Sequence, residues 1–168
     1  MLIWFAAGAA AIVWFVFQSP AIDQRMVMAG AVLPLAETPW GDGILHALVA
    51  PTMVMVVVMA STVGRRLVRR RWLGVPIGMF LHLVLNGSWA RAEVFWWPAR
   101  GWSFPEGPAA VIDRGLWSVV LELAGVGIAA GLWRTFGLND ADRRSTLVRT
   151  GQLDREFMKG SPGLDGTC

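Results

Sequence analysis

Two histidines and a few carboxylates set among long apolar stretches are the residues of this chain whose types can do chemistry. His46 and His82 are its only histidines. Glu37 stands nine residues before His46, and Asn86 stands four after His82, which puts His82 and Asn86 on one helix face. Asp23 and Glu122 are the other acids within or beside the apolar segments. Ionisable groups are expensive in hydrocarbon, so such residues face the interior of a helical bundle and mark a site. Neutral imidazoles with a carboxylate suit zinc or another divalent ion. Such an ion lowers the pKa of bound water and yields a hydroxide nucleophile at neutral pH. The plain alternative is that each histidine hydrogen-bonds across helices and holds the bundle together. Cys168 stands alone, so it forms no internal disulfide and no Cys-pair zinc site.

The elements that must position these residues are read from composition and hydropathy. Of 168 residues, 55% are hydrophobic and 16% charged, against roughly 25% charged in an ordinary soluble domain. Ten Trp, eight Phe and no Tyr form an aromatic load suited to membrane interfaces. The fold class expected is all-α: a polytopic helical membrane protein with about four transmembrane helices. The spans fall at about 2–17, 44–63, 73–90 and 116–137. The first is as short as a signal peptide, but no basic residue precedes it and no clear cleavage site follows, so a retained helix is expected. An eleven-residue apolar run at 26–36, broken by Pro34, reads as a re-entrant or interfacial piece. Pro51 should kink the second span. Residues 1–138 then form the membrane domain, and 139–168 a polar tail that is partly disordered.

Five of the fifteen basic residues lie in one run, Arg65, Arg66, Arg69, Arg70 and Arg71. Between two long apolar segments the positive-inside rule explains that run without a nucleic-acid partner. It places the run, the N-terminus and the C-terminal tail in the cytoplasm of a multi-pass plasma (inner) membrane protein, with residues 18–43 outside. The Gly127-x-x-x-Gly131 pair in the last span would let another helix approach closely.

Four short pieces, in order, resemble the YdjM-type family of membrane-bound metal-dependent hydrolases. Leu33-Pro34-Leu35-Ala36-Glu37-Thr38-Pro39 is similar to that family's Leu-Pro-Asp-x-Asp-x-Pro stretch. Leu45-His46-Ala47 resembles its Thr-His-Ser, and Gly78 through His82 to Asn86 its Gly-x-x-x-His-x-x-x-Asp helix. Phe95-Trp96-Trp97-Pro98 resembles its aromatic segment ending in Trp-Pro. Together they cover about residues 30–98, more than a third of the chain. Two family acids are replaced, by Leu35 and Asn86.

The resemblance implies a metal-dependent hydrolase acting near the outer face on a phosphoester or lipid head group. His46, His82 and Glu37 would be metal ligands, zinc first, with Asp23 as a spare carboxylate. Glu37 and Asn86 would take catalytic parts, as base and as orienting amide. With two acids gone, the alternative is a non-catalytic membrane subunit or scaffold that keeps the family fold without metal. A proton-relaying transporter ranks third, because no inverted repeat supports it.

Overall fold

The computed structural model describes residues 1–17, 22–40, 43–103 and 115–151. Among the described residues every regular element is helical, as expected for an all-α chain. Helix α1 is Leu2–Phe17, and α2 is Gln24–Val32, which runs on into a 3-10 helix, Leu33–Trp40. A second 3-10 turn, Ile44–His46, leads into α3, Val49–Ser61. Then come α4 (Arg66–Trp72), α5 (Gly74–Leu85), a 3-10 turn (Ser88–Ala90) and α6 (Ala92–Phe95). Helices α7 (Leu116–Thr135) and α8 (Ala141–Thr150) are the last of the described elements.

The centre of the bundle is a contact between two backbones. Helices α2 and α5 run in the same direction, and glycines remove the side chains that would hold them apart. A Cβ on Gly30 would overlap the Val75 carbonyl, and one on Gly78 would overlap the Val27 carbonyl. At Gly74 it would lie 2.8 Å from Met26 Cβ and 3.0 Å from the Asp23 carbonyl oxygen. Gly74 and Gly78 are thus a small-xxx-small pair in use. Phe5, Ala9 and Val13 of α1 close over Val27 and Ala31 of α2 to form the buried apolar core.

Helix α7 packs along α1 in parallel. Its Gly125 meets the α1 backbone at Trp4, where a Cβ would lie 2.5 Å from the Trp4 Cα. One turn earlier, Glu122 accepts from the Ile3 and Trp4 amides at 3.1 and 3.3 Å. A helix begins with four amides that have no internal partner and a partial positive charge. Glu122 therefore serves α1 as a cap delivered from another helix. Farther along, Trp14 and Phe136 meet edge to face, with ring centres 5.3 Å apart.

These contacts sort the molecule into two ends. Asp23, Arg71, the end of α7 and α8 share one end, tied by Arg71–Asp23 at 3.4 Å and Gln24 N–H to the Gly151 carbonyl at 2.7 Å. Met1, Glu37, His46, His82 and the start of α7 share the other. The segment expected to be re-entrant therefore does not return to its starting end. Helix α2 rises about 13 Å, and the 3-10 helix after it, at about 2.0 Å per residue, adds up to about 16 Å. Met1 and the arginine run lie at opposite ends of the bundle.

One other expectation changes. Pro51 falls in the first turn of α3, which starts at Val49, so it removes no ladder hydrogen bond and makes no kink. The first part of the tail forms α8, capped by Asp140, whose side chain accepts from the Asp142 amide at 3.0 Å. It ends on Gly151 at φ 70°, a left-handed C-cap against Asp23. Residues 152–168, including Cys168, lie outside the described residues. Among the described residues, one helix, Leu116–Thr135, is long and apolar enough to cross a membrane.

The glycines give a direct test. Gly78→Ala should cost about 1–3 kcal/mol, because backbone atoms cannot yield as side chains do. Gly127→Ala should leave stability unchanged or slightly raised, since only open space lies beside Gly127. Thermal unfolding of the two purified variants beside the parent reads both outcomes; equal melting temperatures would refute the tight α2–α5 contact.

Candidate functional site

The histidine pair is assembled from local chain chemistry on both sides. Helix α2 gives way to a 3-10 helix at Leu33–Trp40. A 3-10 turn would take the donor for the Ala31 carbonyl from residue 34, but Pro34 has no N–H. That acceptor is met instead by His82 Nδ1, which donates to it at 2.7 Å. The close approach at Gly78, one turn before His82, brings the ring within reach. Because a carbonyl only accepts, His82 carries its proton on Nδ1, and its Nε2 holds the lone pair when the ring is neutral.

His46 comes from the turn before α3. Glu37 Oε2 accepts from the Leu45 amide at 2.9 Å and lies 3.4 Å from His46 Nδ1. The carboxylate thus fastens the two 3-10 segments together and orients the imidazole from behind. The two imidazoles meet edge to face, 5.2 Å between ring centres and 74° between planes. Phe5 stacks on the other face of His82 at 4.0 Å and 30°. Both imidazoles are wholly buried. Asn86, one turn past His82 and also buried, donates from Nδ2 to Ser88 Oγ at 3.2 Å. The Leu48 amide donates to the Phe95 carbonyl at 3.0 Å, which brings the aromatic segment to the same end.

So the structure brings together His46, His82 and Glu37, with Asn86 adjoining. It does not bring Asp23 to them. Asp23 lies eight residues before Ala31, about 12 Å away along α2. There it caps α2, accepting from the Arg25 amide at 3.1 Å, and pairs with Arg25 at 2.9 Å. Its hydrogen bond to the Arg25 side chain raises the guanidinium pKa further above the ordinary arginine value, against a smaller lowering by burial. Glu122 is committed to the start of α1.

Does this donor set fit a metal? Two imidazoles bound through Nε2 to one tetrahedral ion, at about 2.0–2.1 Å each, place their ring centres about 5 Å apart. The observed 5.2 Å agrees. Both Nδ1 atoms face oxygen acceptors, the outer arrangement that metal-binding histidines use to fix tautomer and orientation. Among the described residues, however, no group of three or more His, Cys, Asp or Glu side chains is placed to hold an ion. The ring spacing alone is that of a two-nitrogen pair, and Glu37 stands at Nδ1, behind the His46 ring.

Sequence reasoning missed one contributor, Phe5, whose ring covers His82 from α1. Nothing in a uniformly apolar helix distinguishes the residue that will stack on a histidine. Pro34 is a readable signal: it leaves an acceptor without a local donor at the start of the 3-10 helix.

No family model matches the chain, and neither a curated protein nor a solved structure matches it.

Removing the carboxylate tests its fastening role. Glu37→Ala should cost about 1.5–3 kcal/mol, the usual worth of a hydrogen bond to a charged group, and should open the 33–46 segment. Amide exchange at Leu45 is the readout: faster exchange there, with exchange in α7 unchanged, is expected, and unchanged protection at Leu45 would contradict the contact.

Proposed function

We propose that this chain is a multi-pass membrane protein whose histidine end holds a divalent metal ion, zinc first, and acts on a phosphoester or lipid head group. The observation that carries the reading is the His46–His82 pair, with both Nδ1 atoms held by oxygen and the rings at a two-ligand spacing. A bound ion would supply Lewis acidity and an acidified water. The chain's own residues hold that centre in place. The Ala31 carbonyl fixes the His82 tautomer, Glu37 steadies His46, and Phe5 keeps water from the His82 ring. Asn86, where the resembled family has an acid, offers an amide that orients a ligand or substrate.

Membrane insertion is supported by where the apolar surface lies. Helix α7 turns most of its length outward, with Leu116, Trp117 and Leu123 exposed, and α1 exposes Phe15 and Val16. Water penalises exposed apolar area by about 25 cal/mol per Å2, whereas lipid does not. In the plasma membrane the arginine end faces the cytoplasm. The tail through Gly151 is then cytoplasmic, and Met1 and the histidine centre belong to the opposite face. The open face around Gly127 and Gly131 leaves room for a second helix or a second copy.

A second reading is favoured by one observation: both histidine rings are completely buried and one is capped by Phe5. In that reading the cluster is a polar fastening of a non-catalytic subunit or scaffold.

Metal analysis of the detergent-purified protein separates the two. The metal reading predicts a near-stoichiometric divalent ion that is lost in the His46→Ala, His82→Ala double variant. No ion in the parent, with the double variant losing stability, would leave the fastening of a scaffold. Topology is read separately with reporters fused before Met1 and after Gly151: opposite-side signals are expected, and same-side signals would overturn the odd number of crossings.

A further inference from the structure

At the arginine end a polar cavity of about 210 Å3 lies among three elements that are far apart in sequence. It is lined by Asp23 and Arg25 at the start of α2, by Leu67, Arg70 and Arg71 of α4, and by Arg149 and Thr150 of α8. The positive-inside rule asks only that basic residues stay on the cytoplasmic side. It does not ask that guanidinium groups from three helices converge on one hollow. Their convergence is maintained by specific contacts. Asp23 draws in Arg25 at 2.9 Å and Arg71 at 3.4 Å. Arg25 also donates to the Val148 carbonyl, and the Gln24 amide donates to the Gly151 carbonyl, so α8 is docked against α2.

Charge then defines the ligand. Asp23 is the one carboxylate among the described lining residues, against four arginines, which leaves a formal excess of three positive charges. Asp23 is nearly buried and already engages Arg25 and Arg71, while Arg70 and Arg149 add exposed guanidinium groups at the rim. Planar guanidinium forks match the paired oxygens of phosphate, and basic pockets at the cytoplasmic ends of membrane helices suit lipid phosphates. Beside the hollow, α4 exposes Leu67 and Trp72, apolar side chains of the kind that rest at a membrane surface.

We infer that this arginine-lined cavity binds a phosphate group, carried either by an anionic lipid head group or by a soluble phosphate. The lipid source rests on the membrane reading above; the soluble source does not, and neither depends on a metal at the histidine end.

The test uses the full chain in neutral detergent, followed by tryptophan-detected thermal unfolding. Inorganic phosphate is titrated in one arm; in the other, mixed micelles of phosphatidic acid and phosphatidylcholine are compared with phosphatidylcholine alone. A ligand that binds only the folded state raises the melting temperature with its concentration. Arg70→Gln with Arg149→Gln should weaken the response at least tenfold. Arg149→Gln alone should weaken it in the same direction, should the double variant fold poorly. Arg65→Gln with Arg66→Gln, which removes equal charge outside the cavity, should leave most of it. Response to phosphatidic acid alone assigns a lipid phosphate, and response to inorganic phosphate assigns a soluble one; either supports the inference. No response in both arms, or equal loss in the two double variants, overturns it.

Discussion

The structure depends on how closely the backbones of α2 and α5 approach each other. Three glycines, Gly30, Gly74 and Gly78, leave no side chain between the helices at their contacts. With the axes this near, the ring of His82 spans from one helix to a main-chain oxygen of the other. A spacing wider by one methyl group would leave that imidazole and the Ala31 carbonyl each facing packed apolar side chains. Burying either without a partner costs about 1–3 kcal/mol. The glycines and the histidine therefore form one feature: small residues set the distance, and the polar contact requires it.

From that centre, α2 links two chemically different ends. Its first turn presents free amides, which Asp23 answers, and the same carboxylate gathers the arginines of α4 and α2. Its last turn presents a carbonyl, which an imidazole N–H answers. A negative group at the N-terminus and a donor at the C-terminus both favour the helix dipole. Nine residues of helix thus keep an anionic node and an imidazole pair apart and in fixed relation. Asp23, the spare carboxylate in the set that the resemblance implies, is held at the end away from the histidines by its own capping bond.

Much of this was legible in the chain. The four long apolar stretches begin and end within a few residues of α1, α3, α5 and α7, because hydropathy is the main signal of each. His46, His82 and Glu37, which stand out as polar residues among apolar stretches, lie side by side in the fold. What was not legible has physical reasons. Residues 26–36 look too short to connect the two ends because the apolar run stops at Ala36 and its length is reckoned at α-helical rise, whereas the 3-10 continuation to Trp40 advances farther per residue. Gly74 and Gly78 were passed over in favour of Gly127 and Gly131, since spacing alone does not tell which small-residue pair faces a neighbour. The arginine run was read as a topological marker, and only the docking of α8 beside it reveals a hollow.

Glu122 has a consequence for the order in which the molecule is completed. The amides of Ile3 and Trp4 are answered by a carboxylate that leaves the ribosome more than a hundred residues later. Until then the first helical segment has an open, positively polarised start. Final seating of the earliest-made helix waits on arrival of the last long one, so the bundle closes from its two chain-distant ends together.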